Sequence, residues 1–220
     1  MTQIPKLSVL RHPAAIFLPS KKRTEMIKRF VLTALLLTAA IGLARAQDEQ
    51  ECTPARIWVI GTDLADWAEL ICPNIELHYS AWNHLGLMAG FKYNPFTFSK
   101  GTPQQTQMRQ ATPFIGVRYW LDTPFTGWYA QGRLAASVYN VANVFCDKCF
   151  EGQMVALEAG AGWSKMLSDK WNITLGAGIA AALHDTTRYL GPLCGRINGR
   201  NSGLLIFPDI TISINYLWQK

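Results

Sequence analysis

The cysteines are the first residues of this 220-residue sequence whose spacing could support chemistry. Cys146 and Cys149 form a CxxC motif, a spacing found in zinc sites and in thiol redox centres. A zinc site needs four suitably spaced ligands and a redox thiol needs a helix N-terminus, and the polar segment around this motif predicts neither. We interpret it as structural, forming either a local disulfide or a bridge to Cys194. Cys52 and Cys72 are candidates for a second bridge.

Histidines beside hydroxyl and carboxyl groups raise a hydrolase as an alternative. His184 precedes Asp185 and Thr186, and His78 lies two residues before Ser80. A nucleophile needs its base within hydrogen-bonding reach and an oxyanion site beside it, and spacing alone shows neither. An enzyme acting on lipid would carry these groups on the lipid side of its wall, whereas the patterns described next place both histidines on the inner side. We therefore predict no catalysis, no metal and no cofactor.

The elements that position these groups are strands in which apolar and polar residues alternate. The clearest is residues 209–218, where Ile210, Ile212, Ile214, Tyr216 and Trp218 alternate with polar residues. A period of two gives a strand one apolar and one polar face. The predicted strands span residues 56–62, 73–81, 85–94, 114–121, 128–139, 153–165, 171–184 and 209–218.

The number of strands and the lengths of their connections predict the architecture. There are eight strands, and the connections after the odd-numbered strands are longer than those after the even-numbered ones. An even strand number with long connections at one end and short turns at the other is typical of outer-membrane barrels. We therefore predict an all-β, eight-stranded antiparallel transmembrane β-barrel in the outer membrane. A soluble, lipocalin-like barrel would place its apolar residues inward.

The inner faces of these strands carry acids and bases in near balance. Burying an unpaired charge is costly, so these side chains are expected to form ion pairs that plug a narrow lumen. A small-solute channel is the alternative. The ion-pair candidates are Glu76, Lys92, Arg118, Arg133, Glu158 and Asp209.

The N-terminal region is interpreted as an export signal. Lys28 and Arg29 precede an apolar run over residues 30–43, and Ala44-Arg45-Ala46 is a small-x-small cleavage site. We divide the chain into an upstream extension (1–25), a signal peptide (26–46), a leader (47–55) and a barrel domain (56–220). Translation starts at Met1 or at Met26.

The net charge of +6 does not indicate nucleic-acid binding. Eight of the 21 Lys and Arg residues, but only one of the 15 acidic residues, precede Gln47, so the remainder is close to neutral. In that remainder a few basic residues fall in predicted outer loops, where they either stay solvated or contact lipopolysaccharide phosphates or an acidic partner. They are Lys148, Arg188, Arg196 and Arg200. The expected partners are outer-membrane lipid and lipopolysaccharide, the barrel-assembly machinery during insertion, and an external partner of unknown identity.

Several strand-end motifs are similar to those of a known family. They are Tyr93-Asn94-Pro95-Phe96-Thr97-Phe98, Arg118-Tyr119-Trp120, Lys170-Trp171-Asn172 and a final strand opened by Pro208. Over residues 57–218 the chain resembles the domain of unknown function 3575 family, small outer-membrane barrels of Gram-negative bacteria of the Bacteroidetes type. The resemblance implies a fold and a location, and it brings no catalytic residue.

Overall fold

The computed structural model describes residues 56–68, 71–80, 82–102, 105–144, 148–191 and 194–219. They belong to one compact unit, Thr53–Lys220. The predicted extension, signal peptide and leader lie outside the described residues.

The described residues form strands joined mostly by short turns, with one short helix. In chain order they are β1 (Ile57–Asp63), α1 (Leu64–Ala68), β2 (Asn74–Ser80), β3 (Leu85–Asn94), β4 (Thr97–Phe98), β5 (Thr106–Trp120), β6 (Gly127–Ala142), β7 (Lys148–Met166), β8 (Trp171–Leu190) and β9 (Ile197–Gln219). Within these ranges no helix is both long enough and apolar enough to cross a membrane.

The strands form one antiparallel sheet that closes on itself. β9 pairs with β1 and β8, and β3 pairs with β5, so β1, β2, β3, β5, β6, β7, β8 and β9 form a ring. The two-residue β4 pairs with β5 alone and lies outside the ring order. The predicted all-β, eight-stranded antiparallel architecture is confirmed, with β4 as an addition.

The predicted alternation of faces is also observed. Outward side chains are apolar and exposed, with Ile115 60%, Ile179 62% and Ile210 60% accessible. Inward side chains are mostly polar and buried, and Glu76 and Arg118 are only 1% and 2% accessible. Closure of the sheet separates the two faces, because successive side chains of a strand point in opposite directions.

The strands continue well into regions that the sequence predicts as loops. The predicted loops 140–152 and 186–203 are largely strand: β7 begins at Lys148, β8 runs to Leu190 and β9 begins at Ile197. Thr186 pairs with Asn201 and Asp185 with Ser202 in this extension. Backbone hydrogen bonds hold such polar strands, so they carry no hydrophobic alternation by which a sequence would reveal them.

The wall of the ring is therefore uneven in height. β1 and β2 have 7 residues each, whereas β8 has 20 and β9 has 23. The β1 ladder on β9 ends where Asp63 pairs with Ser213. The chain then turns inward as α1, and Asp66 on this helix is buried.

Candidate functional site

Arg133 is the centre of a buried charge cluster inside the ring. It lies on β6, directly opposite Glu158 of β7, and is 2% accessible. Its Nε atom is 2.6 Å from Glu158 Oε2, and its Nη2 atom forms an ion pair with Asp209 Oδ2. Gly116 on β5 pairs with Arg133, and a Cβ at Gly116 would lie only 3.0 Å from Arg133 Cγ, so glycine leaves space for this side chain. The structure thus brings together three of the six predicted ion-pair residues.

Lys92 is paired with a residue outside the six predicted ion-pair candidates. Its Nζ atom is 2.7 Å from Asp66 Oδ1 on α1, so the carboxylate comes from the helix rather than from a neighbouring strand. Asp63 caps α1, because its Oδ1 atom accepts a hydrogen bond from Ala65 N at 2.9 Å. The sequence signal for this helix is an N-cap aspartate, Asp63, followed three residues later by a second acidic residue, Asp66, in the first turn.

Glu76 and Arg118, the other two predicted charges, form no ion pair with another of the six candidates in the described part of the chain. Glu76 Oε2 lies 3.3 Å from His78 Nε2 on the same strand. Arg118 donates from Nη2 to Gln131 Oε1 at 2.8 Å, and its guanidinium lies 4.3 Å from the ring centre of Tyr129. Among the described residues no carboxylate lies within 4.0 Å of Arg118. An amide and an aromatic face take the place of a carboxylate at this guanidinium.

A neutral polar network fills one end of the ring. This end carries the short turns between β2 and β3, between β5 and β6 and between β7 and β8. Asn172 Nδ2 donates to the Phe125 carbonyl at 2.6 Å, and Asn215 Nδ2 donates to Asn172 Oδ1 at 3.1 Å. Ser164 and Thr174 complete the network. The β5–β6 turn supplies the carbonyl, because Phe125 folds into the interior and is 2% accessible. Sequence alternation placed these side chains inward but could not show that a turn closes over them.

A histidine and a hydroxyl group meet near the end of the ring opposite the short turns, where β7, β8 and β9 extend furthest. We call this end the tall end of the wall. His184 Nδ1 lies 2.8 Å from Thr186 Oγ1, and the same oxygen is 2.6 Å from Tyr139 OH. All three project to the inner side, whereas Asp185 alternates to the opposite face. In the part of the chain described, no carboxylate lies within 4.0 Å of His184 and no cluster of metal-binding side chains is present. Among the described residues, therefore, no carboxylate is in position to orient His184 as a base.

The predicted loop cations lie mainly on strands. Lys148 is on β7, Arg188 on β8 and Arg200 on β9, and only Arg196 lies in the turn between β8 and β9. Phe150 pairs with Arg188, and Lys148 lies two residues before Phe150, so both cations are on one face. Arg200, which pairs with Thr187, is on the other face. Strand pairing extends through this region, so the four residues do not form one basic loop surface.

A disulfide fastens the tall end of the wall. Cys149 is bonded to Cys194 with a Cα–Cα distance of 5.5 Å, while Cys146 lies outside the described residues. Cys72 accepts a hydrogen bond from Gln110 Nε2 at 3.1 Å, and its candidate partner Cys52 also lies outside the described residues.

A shallow pocket adjoins the disulfide on β7, β8 and β9. Its lining includes Lys148, Phe150, Arg188 and Tyr189. Burial and a 2.9 Å hydrogen bond to Glu151 Oε2 both raise the pKa of the Tyr189 hydroxyl. The phenol therefore stays protonated and remains a hydrogen-bond donor at neutral pH.

The fold and its interior define a class of protein: a small antiparallel barrel whose exterior is apolar and whose interior is polar and charged. Residues 32–218 match the model of a family described as protein of unknown function (DUF3575), and the chain belongs to this family. No curated protein matches the chain.

Proposed function

We propose that the protein is an outer-membrane β-barrel with a structural or interaction role in the cell envelope and without catalytic activity. The observation that carries this proposal is the inversion of polarity across the wall. Ile75, Ile115 and Ile179 are among many outward apolar side chains, each at least half accessible, while Glu76, Arg118 and Arg133 are almost completely buried. A barrel in water would hide apolar groups and expose charges.

Aromatic residues support the same orientation. Trp82, Trp128, Trp171 and Trp218 lie near the short turns and are 41–60% accessible. Tryptophan rings at one rim of a barrel match the membrane interface, where an apolar ring with a polar N–H is favoured. We place the short turns and both chain termini in the periplasm and the tall end outside the cell. The signal peptide before Gln47 supplies the export step in this proposal.

The side chains that cross the ring favour a closed lumen over a small-solute channel. Arg133 reaches from β6 to Asp209 on β9, and Lys92 on β3 contacts Asp66 on α1. The first contact joins two strands that are not neighbours in the ring, and the second lies between the wall and the inward-turned helix, so a solute would have to break an ion pair in order to pass. The loss of buried ion pairing makes that path unfavourable.

An enzyme acting on lipid is less well supported. His184 and Thr186 project to the inner side, away from the apolar exterior that lipid would contact in this proposal. Replacing His184 by Ala is expected to leave the acylation pattern of lipid A unchanged, which mass spectrometry of extracted lipid A would measure. A changed pattern would establish the enzyme.

Electrophoresis of isolated outer membranes, unboiled against boiled, tests the main proposal. A folded barrel resists detergent, so the unboiled band is expected in the outer-membrane fraction and to shift on boiling. Recovery of the protein in the soluble periplasmic fraction, with no shift, would contradict the proposal. Sequencing the N-terminus of the same band tests cleavage before Gln47.

A further inference from the structure

The outer part of β9 is an open sheet edge. β9 pairs with β8 on one side from Ile197 to Tyr216, but β1 covers its other side only from Ser213 to Gln219. Asp63 closes this ladder, because its Oδ1 atom accepts the Ile212 N–H at 3.0 Å. From residue 201 to 211, no strand of the described residues pairs with this side of β9.

The direction of individual backbone groups follows from two hydrogen bonds. Ile212 N points toward β1, because it donates to Asp63, and Leu217 N points toward β8, because it donates to the Lys170 carbonyl at 2.8 Å. Neighbouring residues of an antiparallel strand direct their N–H and C=O groups to opposite sides. The β8–β9 register is regular up to Arg188, so even-numbered residues face the open edge. Ser202, Leu204, Ile206 and Ile210 therefore present N–H groups that no strand of the described residues pairs with.

Pro208 agrees with this assignment. Pro208 is one of the even-numbered residues of β9, whose backbone groups face the open edge. Its missing N–H therefore removes no hydrogen bond from the ladder to β8. Proline within a sheet is confined to positions whose N–H would have no strand partner. The carbonyl of Pro208 is still available as an acceptor.

The surroundings of this edge make unpaired backbone groups costly. Leu204, Ile206 and Ile210 point outward and are 60%, 64% and 60% accessible. In the proposed membrane location these apolar side chains put the edge close to the hydrocarbon, where open sheet edges do not persist without a partner. Only another extended backbone matches donors and acceptors that repeat at every second residue.

We propose that the β9 edge from Ser202 to Ile210 binds an extended strand of a partner polypeptide by antiparallel pairing. The partner strand takes the position that a longer β1 would occupy, above Asp63, and places apolar side chains beside Leu204 and Ile206. This deepens the interaction role proposed above and rests on it for the orientation in the membrane.

A second copy of the chain does not fit this edge. Two barrels inserted in the same sense are related by an axis along the membrane normal. Such an axis keeps both β9 strands running in the same sense across the membrane, so they cannot form an antiparallel ladder. The opposite arrangement would require one barrel to be inverted.

Amide hydrogen exchange measured by NMR on the folded barrel in detergent micelles tests the proposal. The probe is a synthetic peptide of about ten residues that alternates valine and threonine, long enough to span the edge at about 3.3 Å per residue. In the free protein the amides of Ser202, Leu204, Ile206 and Ile210 are expected to exchange fast. With the peptide they are expected to slow by about tenfold or more. Odd-numbered amides, which bond to β8, stay protected in both conditions.

The matched variant is Leu204→Pro combined with Ile206→Pro, which removes two edge donors and leaves the β8 side intact. It is expected to lose the peptide-dependent protection at Ser202 and Ile210 while keeping the band shift of a folded barrel. Fast exchange of the even-numbered amides with the peptide present would overturn the proposal. Slow exchange of the even-numbered amides without peptide would also overturn the proposal. Protection that does not depend on protein concentration would mean that another segment of the same chain covers the edge. Protection that increases with protein concentration would mean that a second copy covers it. Failure of the membrane proposal would be recognised separately, by recovery of the protein in the soluble periplasmic fraction instead of the outer membrane.

Discussion

Single buried charges set the strictest requirements inside this barrel, and Arg133 shows why. Its guanidinium contacts Glu158 and Asp209 at a buried position, where Arg133 is only 2% accessible. Replacing Arg133 by Ala leaves two carboxylates without their cation, so the free energy of unfolding is expected to fall by about 3–5 kcal/mol. Urea unfolding of the protein refolded in lipid vesicles, followed by tryptophan fluorescence, measures this change.

Two further variants test whether the loss of stability in Arg133→Ala comes from unpaired buried charges. Arg188→Ala removes an exposed cation and is expected to change stability by less than about 0.5 kcal/mol. Arg133→Met combined with Glu158→Gln and Asp209→Asn removes the whole cluster and should recover most of the loss, because no charge is then left unpaired. Equal stability of Arg133→Ala and Arg188→Ala would show that the cluster contributes nothing to folding.

The sequence predicts residues of this kind only when they lie on regular strands. Alternation places Arg133, Glu158 and Asp209 inside, and in the structure both carboxylates contact Arg133. Lys92 was also assigned to the inside, but its partner Asp66 lies on a five-residue helix that has no strand period. Tertiary contacts with Lys92 and β9 position that helix, and alternation cannot report such contacts.

At the scale of elements, the disulfide holds the tall end of β7 to the turn between β8 and β9. Cys149 and Cys194 are 45 residues apart, and a loop of this length is expected to contribute up to roughly 4 kcal/mol by restricting the unfolded chain. Replacing both by Ser should lower the free energy of unfolding by up to that amount. Urea titration with and without reductant measures it.

The control for this prediction is Cys146→Ser, which leaves the Cys149–Cys194 bond intact. If Cys146→Ser destabilised the protein as much as the double variant, the bridge would not be the source of the stability. The CxxC motif left a local bridge and a bridge to Cys194 equally open. The structure selects Cys194, because the extended β7–β8 ladder sets Cys149 opposite Tyr189 and so brings it to the turn between β8 and β9.

For the whole molecule, the apolar exterior predicts that an Ile→Arg substitution lowers the free energy of unfolding by different amounts at two positions along the height of the wall. Ile179→Arg places a charge in the outward band of β8, where lipid contact would make it cost about 2–4 kcal/mol. Ile197→Arg changes a similarly accessible isoleucine, 56% against 62%, at the outer start of β9 and is expected to cost less than about 0.5 kcal/mol. Unfolding of both variants from lipid vesicles measures the difference. Equal small costs would contradict a membrane-embedded band.

The amino-acid sequence by itself determined the fold class, the eight strands of the ring and the faces on which the side chains of the predicted strand segments lie. It could do so because strand alternation is a local property, set by the two-residue repeat of the backbone. Only the tertiary structure decided the height of the wall, the inward path of α1, the partner of Lys92 and the open edge of β9. These depend on which backbone groups find partners across the sheet, and polar strands form such pairs without leaving a hydrophobic pattern in the sequence.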